Sequence, residues 1–234
     1  MVCLLKSYDY IPEAIFPPGV RRAGISLPEN SGDRPGRIIR AMAESLSDLW
    51  RHLKPRLALL LGIVGLMWLL EIVDTLFLGQ RLNSLGIHPR DLASLPNVLL
   101  APFLHAGFTH LIANSVPFAV LGGIILARSV GEFVGVSLVI LTVSGLGIWQ
   151  IGGSNTVHFG ASGMVFGYFG YLLFRGIFER SLPSIFIAVV VAAAYGSILF
   201  GVLPGQRGVS WEGHLFGFLG GALAAWLGRK LGSS

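Results

Sequence analysis

The sequence has little charge. Asp, Glu, Lys and Arg make up 12% of its 234 residues, whereas a typical soluble domain contains about 25%. Hydrophobic residues make up 53% of the chain, and its mean hydropathy is +0.71. A soluble domain of this size cannot bury so many long apolar runs. The composition therefore indicates that most of the chain faces a lipid bilayer.

Cysteine is also scarce, since Cys3 in the N-terminal tail is the single one. One cysteine excludes a disulfide within the chain and a cysteine-based metal site. The first 30 residues lack the continuous apolar core of a signal peptide, because charged residues and prolines interrupt them. We therefore expect membrane insertion to depend on the later apolar segments.

The N-terminal part differs in composition from the rest. Residues 1 to about 36 are rich in Pro, Gly and Arg and predict a poorly ordered tail. Residues 38–54 form an amphipathic pattern, whose apolar face contains Ile38, Met42, Leu46, Leu49 and Leu53. Such a helix lies on the membrane surface or packs on the cytoplasmic side of the membrane domain, and the sequence leaves both open. We assign residues 1–55 to this cytoplasmic tail with its helix, and residues 56–234 to the membrane domain.

Six apolar segments predict an all-α polytopic membrane protein. They cover residues 57–78, 107–127, 132–151, 160–178, 183–203 and 212–230, approximately. With the N-terminus inside, 14 of the 17 Lys and Arg residues lie on the cytoplasmic side, as the positive-inside rule requires. Both termini are then cytoplasmic. The net charge of +5 follows from this topology and does not indicate nucleic-acid binding.

Polar residues occur where the second, fourth and sixth segments begin. The second carries His110 and Asn114, the fourth Ser162, and the sixth His214. Ionisable and polar groups inside a membrane are costly unless they are paired or face a cavity. Because these three segments run in the same direction, their starts lie at similar depth near the outer face, and we expect these side chains to meet.

The residue types suit acyl-transfer chemistry. A serine hydroxyl becomes a good nucleophile when a neighbouring base removes its proton, and histidine is the usual base. His158, four residues before Ser162, and His214 are both candidates. The four-residue spacing would match one helical turn, but Gly160 and the residues before it suggest a loop, so His214 is favoured. The first-turn N–H groups of a helix that starts at Ser162, with His110 and Asn114, offer donors for an oxyanion.

Small residues indicate how the fourth and sixth segments approach each other. Gly217 and Gly221 form a small-xxx-small pair on the sixth, and such pairs let membrane helices pack closely. Phe166 lies one turn beyond Ser162 and is placed to stack on the imidazole of His214. Both features bring His214 towards Ser162.

Three motifs in order resemble the rhomboid intramembrane serine proteases: "HLIAN", "GASG" and "GHLFGFLGG". The resemblance covers about residues 57–230. It implies that Ser162 is the nucleophile and His214 the base of a dyad, and that His110 and Asn114 stabilise the oxyanion. The supporting positions that it implies are Gly160, Phe166, Gly217 and Gly221. Gly213 stands where the family usually has alanine, and the first outer loop lacks the family's common Trp-Arg pair.

The resemblance implies an endopeptidase that cleaves transmembrane segments of single-span or other membrane proteins. It implies no metal and no organic cofactor, and the histidines lack the HExxH spacing of a zinc protease. The bilayer is the other expected partner, and we expect a bacterial cytoplasmic membrane with the active site near the outer face. The fifth segment and the loop "LPGQRGVSW" are candidates for a moving gate.

Two other function classes stay open from the sequence. One is a catalytically inactive rhomboid-like protein that binds transmembrane helices. The other is a small transporter or channel, although the chain shows no inverted repeat and no acidic residue at mid-membrane.

Overall fold

In a computed structural model of the chain, residues 34–206 and 208–232 are described. The predicted tail, residues 1 to about 36, lies almost entirely outside this part of the chain, together with Cys3. The chain divides into two compact units, Met1–Trp50 and Arg51–Ser234. The candidate site belongs to the second.

Six α-helices account for most of the described residues. They are α1 (Arg34–Val73), α2 (Phe108–Arg128), α3 (Val130–Ile151), α4 (Ser162–Glu179), α5 (Leu182–Tyr195) and α6 (Trp211–Gly232). A π-helical turn, Asp74–Leu78, follows α1, and a 3₁₀ segment, Gly196–Val202, continues α5. Short 3₁₀ turns at Leu82–Leu85, Leu92–Leu99 and Ala101–Phe103 form the connection between α1 and α2. The last five predicted segments therefore match observed helices to within two residues at each end.

The N-terminal helix differs from its prediction. The expected amphipathic helix 38–54 and the expected first apolar segment lie in one element, α1, which contains Pro55. A proline inside a helix removes one hydrogen bond, but the Leu-, Ala- and Arg-rich sequence on both sides favours helix. Within the first unit the apolar residues Ile39, Met42, Leu46, Leu49 and Trp50 are exposed.

Four helical stretches of the described residues are long and apolar enough to cross a membrane. They are Ile39–Leu78, Phe108–Arg128, Val130–Ile151 and Leu182–Val202. Helices α4 and α6 are not in this set. Both contain many glycines, and charged residues such as Arg175 and Lys230 lower their hydropathy.

Helix α4 lies at the centre of the second unit. Every residue from Met164 to Leu172 is buried, including the large side chains Tyr168 and Phe169. A helix that is apolar on all sides is stable in this position, since neighbours cover each of its faces. Ser162, at its first turn, is thereby held on a well-packed element.

Glycines bring α4 and α6 into direct backbone contact. A Cβ atom on Gly217 would lie 2.2 Å from the carbonyl oxygen of Gly163, and one on Gly221 would lie 1.9 Å from that of Gly167. No side chain fits at either position. The two helices therefore approach as closely as their backbones allow, as small-xxx-small patterns predict.

A charged cluster secures the opposite end of α4. Arg175 is buried and forms ion pairs with Glu132 of α3 and Glu179 of α4. The Tyr171 hydroxyl donates to Glu132 at 3.0 Å, and the Ser184 hydroxyl donates to Glu179 at 2.5 Å. A buried guanidinium is tolerated when it is paired in this way.

The connection between α1 and α2 is tied to the connection between α3 and α4. Ile87 and His158 exchange two backbone hydrogen bonds, at 2.8 and 3.0 Å. The Arg90 N–H donates to the Trp149 carbonyl at 2.8 Å, and the Trp149 indole donates to the Asp91 carbonyl at 2.9 Å. These bonds fix the loop that borders Ser162.

The close contact between α4 and α6 predicts that one added methyl group lowers the stability of the protein. Gly221→Ala places a carbon against the Gly167 carbonyl, and overpacking of this kind costs about 1–3 kcal/mol or more. Gly228→Ala is the matched control on α6, because nothing lies within 4 Å of its Cβ position. We expect Gly228→Ala to be neutral or up to about 1 kcal/mol more stable. Unfolding in mixed detergent micelles measures both, and equal stabilities would contradict the close approach.

Candidate active site

Ser162 is the first residue of α4. Ala161 precedes it at the N-cap with φ −74° and ψ −2°, and no side chain caps this end of the helix. The first N–H groups of a helix have no partner within it, and the helix dipole makes this end electropositive. Ser162 is half-buried. Because it is the first residue of the helix, it lies next to backbone donors that suit a negatively charged oxygen.

His214 lies in the first turn of α6 and is buried. Its ring stacks on Phe166 of α4, with 4.0 Å between centroids and 7° between planes. Its Nδ1 lies 2.9 Å from the carbonyl oxygen of Gly201. A carbonyl accepts but does not donate, so Nδ1 carries the proton. In the neutral ring Nε2 is then the unprotonated nitrogen, the one that acts as a base.

Contacts around Gly213 join the start of α6 to the start of α4. A Cβ atom on Gly163 would lie 3.3 Å from the Gly213 carbonyl oxygen, which also accepts a hydrogen bond from Ser144 of α3 at 3.1 Å. Gly163 follows Ser162, and Gly213 precedes His214. The turn that carries the serine therefore packs directly on the turn that carries the histidine.

His110 lies against the loop that leads to Ser162. A Cβ atom on Gly160 would lie 2.8 Å from Cε1 and 3.1 Å from Nε2 of His110. Gly160 also has φ +113°, a conformation that other residues rarely adopt. The Ala106 N–H donates to Nδ1 of His110 at 3.3 Å, so in the neutral ring Nε2–H is a donor beside this loop.

Asn114 is one turn further along α2 and is buried. Its side-chain amide donates to the His110 carbonyl at 2.9 Å. That bond uses one of two amide hydrogens and fixes the side chain on the same face as His110. The structure thus places His110 against the Gly160 loop, and Asn114 one turn along α2 from His110.

His105 and His158 have structural partners. His105 is buried, its Nε2 accepts from the Ala161 N–H at 3.4 Å, and burial together with the neighbouring His110 lowers its pKa to about 4. His158 is hydrogen-bonded at both ring nitrogens, to Thr156 and Ser210, each at 2.7 Å. Burial lowers its pKa, an effect that nearby Glu212 partly offsets. Both ring nitrogens of His158 are thus occupied by hydrogen bonds within the protein.

Three contributors to the site were not predicted from the sequence. They are Gly201, whose carbonyl holds His214, Ser144, which bonds to Gly213, and Ser210, whose hydroxyl accepts from the Gly213 N–H at 3.3 Å. The contacts of Gly201 and Ser144 span 13 and 69 residues and use backbone carbonyls, so the pattern of residue types carries no signal for them. Ser210 directly precedes α6 and accepts from a first-turn N–H, a position at which serine is common, and this signal could have identified it.

A small cavity of about 30 Å³ borders Ser162. Its polar lining comes from Ser144, His158 and Ser210, and the rest is mainly apolar. A space of this size holds a water molecule when polar partners are present. The arrangement can therefore place water beside the serine.

Comparison with known proteins shows which family the chain resembles. A family model for the rhomboid domain matches residues 93–231. An uncharacterized protein of Mycobacterium tuberculosis, Rv1337, is 43% identical over 176 residues, which cover 72% of this chain and 73% of that protein. ML1171, an uncharacterized protein of Mycobacterium leprae, is 38% identical over 176 residues, covering 72% and 69%. A Bacillus subtilis protein named "Putative rhomboid protease YdcA" is 32% identical over 143 residues, covering 55% and 65%.

The chain belongs to the rhomboid family, and with its several long apolar helices it is an integral membrane protein. The matched region includes the starts of α2, α4 and α6, and thus all the polar residues described above. The resemblance drawn from the three motifs is confirmed at the level of the family.

The stack between Phe166 and His214 predicts a graded effect on Ser162. Phe166→Leu keeps apolar volume but removes the ring, and aromatic pairs contribute about 0.5–1.5 kcal/mol. We expect Ser162 to react roughly two- to tenfold more slowly with a fluorophosphonate probe, while Phe166→Tyr, which keeps the ring, reacts like the wild type. Equal labelling rates for Phe166→Leu and wild type would show that the stack does not position the histidine.

Proposed function

We propose that this rhomboid-family protein is an intramembrane serine endopeptidase that cleaves transmembrane segments of other membrane proteins. The observation that carries the proposal is the hydrogen bond from Nδ1 of His214 to Gly201. It leaves the Nε2 lone pair as a base, on a helix that packs by backbone contact on the helix beginning at Ser162. The proposal adds the roles of the residues to the family assignment.

In the first half of the reaction, Nε2 of His214 takes the proton of the Ser162 hydroxyl as Oγ attacks the substrate carbonyl carbon. The carbonyl oxygen becomes an oxyanion, which accepts hydrogen bonds from the first-turn N–H groups of α4, from His110 Nε2–H and from the Asn114 amide. The proton on His214 then passes to the leaving amine, the C–N bond breaks, and an ester links the substrate acyl group to Ser162.

In the second half, a water molecule attacks the ester carbonyl while His214 takes one of its protons. The C–O bond to Ser162 breaks, the serine oxygen takes that proton back from His214, and a carboxylic acid leaves. The cavity beside Ser162 supports this step, because it offers a place for water next to the serine. The chemistry needs neither a metal nor an organic cofactor.

The proposed topology has six membrane spans, with α4 and α6 crossing the bilayer as well as the four more apolar stretches. Both termini are cytoplasmic, which places 14 of 17 Lys and Arg residues inside, and the site lies near the outer face of a bacterial cytoplasmic membrane. In this topology residues 38–54 form the cytoplasmic N-terminal part of α1. Substrate segments reach Ser162 from the lipid and unwind locally, because a helical peptide bond is shielded from attack.

The first test removes the two central residues. Ser162→Ala and His214→Asn should abolish cleavage of a panel of tagged single-span proteins and labelling by the fluorophosphonate probe, since one removes the nucleophile and the other the base. Ser47→Ala is the matched control, because this exposed hydroxyl bonds only to the nearby Glu44 carbonyl among the contacts described. The readouts are the cleavage fragments and the labelled fraction.

Undiminished cleavage by either purified variant would refute the assignment. A wild-type protein that is folded, binds transmembrane helices and yet is neither labelled nor cleaves would identify the chain as an inactive relative. Ion or solute flux in proteoliposomes that survives Ser162→Ala would instead indicate a transporter or channel.

A second test separates the two candidate bases. His158→Asn removes a positioning residue, and we expect it to slow probe labelling without abolishing it, whereas His214→Asn leaves no base. Labelling as a function of time for the two variants in one detergent measures the difference. Loss of all labelling in His158→Asn, with labelling retained in His214→Asn, would reverse the roles.

A third test addresses the oxyanion. Asn114→Ala should lower the cleavage rate by less than the roughly 10²–10³-fold typical of a lost oxyanion donor, because α4 and His110 supply further donors. Asn114→Asp, similar in size but without the amide donor, serves as a second variant. The rate of a single-turnover cleavage reports the loss, and wild-type rates in both variants would remove Asn114 from the proposed site.

A further inference from the structure

The histidine proposed as the base is oriented by a main-chain group from another element. Its Nδ1 partner is the Gly201 carbonyl at 2.9 Å, and Gly201 lies in the 3₁₀ segment Gly196–Val202 that continues α5. Glu212 precedes His214 by two residues, but the Nδ1 partner is this carbonyl. A backbone acceptor holds the proton on Nδ1 without adding a second titratable group.

Gly201 is packed so tightly here that a side chain would disturb the stack. A Cβ atom would lie 2.8 Å from Cζ of Phe166 and 3.0 Å from Nδ1 of His214. Gly196, at the start of the same segment, has nothing within 4 Å of its Cβ position. The two glycines of one segment thus differ in a way that isolates the contact with the imidazole.

The outer end of α5 and the segment that carries Gly201 have few buried side chains, although Tyr195 and Ile198 pack partly buried against the hydrophobic core. Along α5 the buried residues are Ser184 and Val191, and Ser184 belongs to the charged cluster at the opposite end of α4. Beyond Tyr195, Phe200 is 70% exposed and Leu203 is also exposed. Side chains that contact little protein cost little to displace, and any displacement of this end moves the Gly201 carbonyl away from His214.

We infer that Gly201 is the positioning residue of His214, because its carbonyl holds the imidazole. We also infer that a displacement of the outer end of α5 changes the orientation of this base. When the segment is packed on the stack, His214 is held as the Nδ1–H tautomer with Nε2 as base. When the segment moves away, the imidazole loses its partner and the Nε2–H tautomer, which cannot accept the serine proton, becomes available. This inference rests on the proposed function for its consequence and on the contact alone for its geometry.

The experiment compares Gly201→Ala with Gly196→Ala in the full-length protein in detergent micelles. Selective ¹⁵N-histidine labelling reports the tautomer of His214 by NMR, with His214→Asn assigning its resonances. We expect wild type and Gly196→Ala to show the Nδ1–H tautomer, and Gly201→Ala to show a mixture of tautomers. We also expect Gly201→Ala to react at least tenfold more slowly with the fluorophosphonate probe, while Gly196→Ala reacts like wild type.

A wild-type His214 in the Nε2–H tautomer overturns the inference, and this readout does not depend on whether Gly201→Ala folds. A folded Gly201→Ala that keeps both the wild-type tautomer and the wild-type labelling rate overturns it as well. A wild-type protein that shows the Nδ1–H tautomer but no labelling at all would instead refute the proposed function and leave the positioning contact supported.

Discussion

The contact between Gly221 and the Gly167 carbonyl leaves no room for a side chain between α4 and α6, and much of the site depends on it. Four residues earlier on both helices, Gly217 meets the Gly163 carbonyl, so the helices run parallel and in register. Ser162 is one residue before Gly163 and His214 is three residues before Gly217, so this register brings the start of α4 beside the start of α6. Phe166 can stack on the imidazole because no bulky residue separates the helices.

The two ends of α4 use polar groups in different ways. At its C-terminal end, Arg175 is neutralised by Glu132 and Glu179, and this paired cluster links α3, α4 and the start of α5. At its N-terminal end, the donors and acceptors are single, mostly uncharged groups around Ser162. Paired charges satisfy the buried guanidinium at the first end, while at the second end no side chain caps the first turn of α4.

Much of the fold was predictable from the sequence because its signals are local. Apolar runs of about 20 residues predicted α2, α3, α4 and α6 to within two residues at each end, whereas the fifth run covers α5 and the 3₁₀ segment that continues it. The small-xxx-small spacing indicated which helices would touch. The end of the amphipathic helix was not predictable, because Pro55 usually stops a helix but here lies inside α1. The sequence also identified Ser162, His214, His110 and Asn114 as candidates, and the structure places His110 against Gly160 and His214 against Phe166. The partner of Nδ1 was missed, because any residue type could supply that carbonyl.

The two sides of the site are held by different kinds of contact, and on one side the contacts include the hydrogen bonds between Ile87 and His158. On that side, hydrogen bonds of backbone and ring nitrogens connect the loop before α2 to the loop before α4. The hydrogen bond between His158 and Ser210 connects this pair of loops to the start of α6. On the side of α5, one carbonyl and a few apolar contacts make the boundary. Hydrogen bonds therefore join three elements on the Ile87 side of the site, whereas on the α5 side the hydrogen bond that reaches His214 comes from the Gly201 carbonyl.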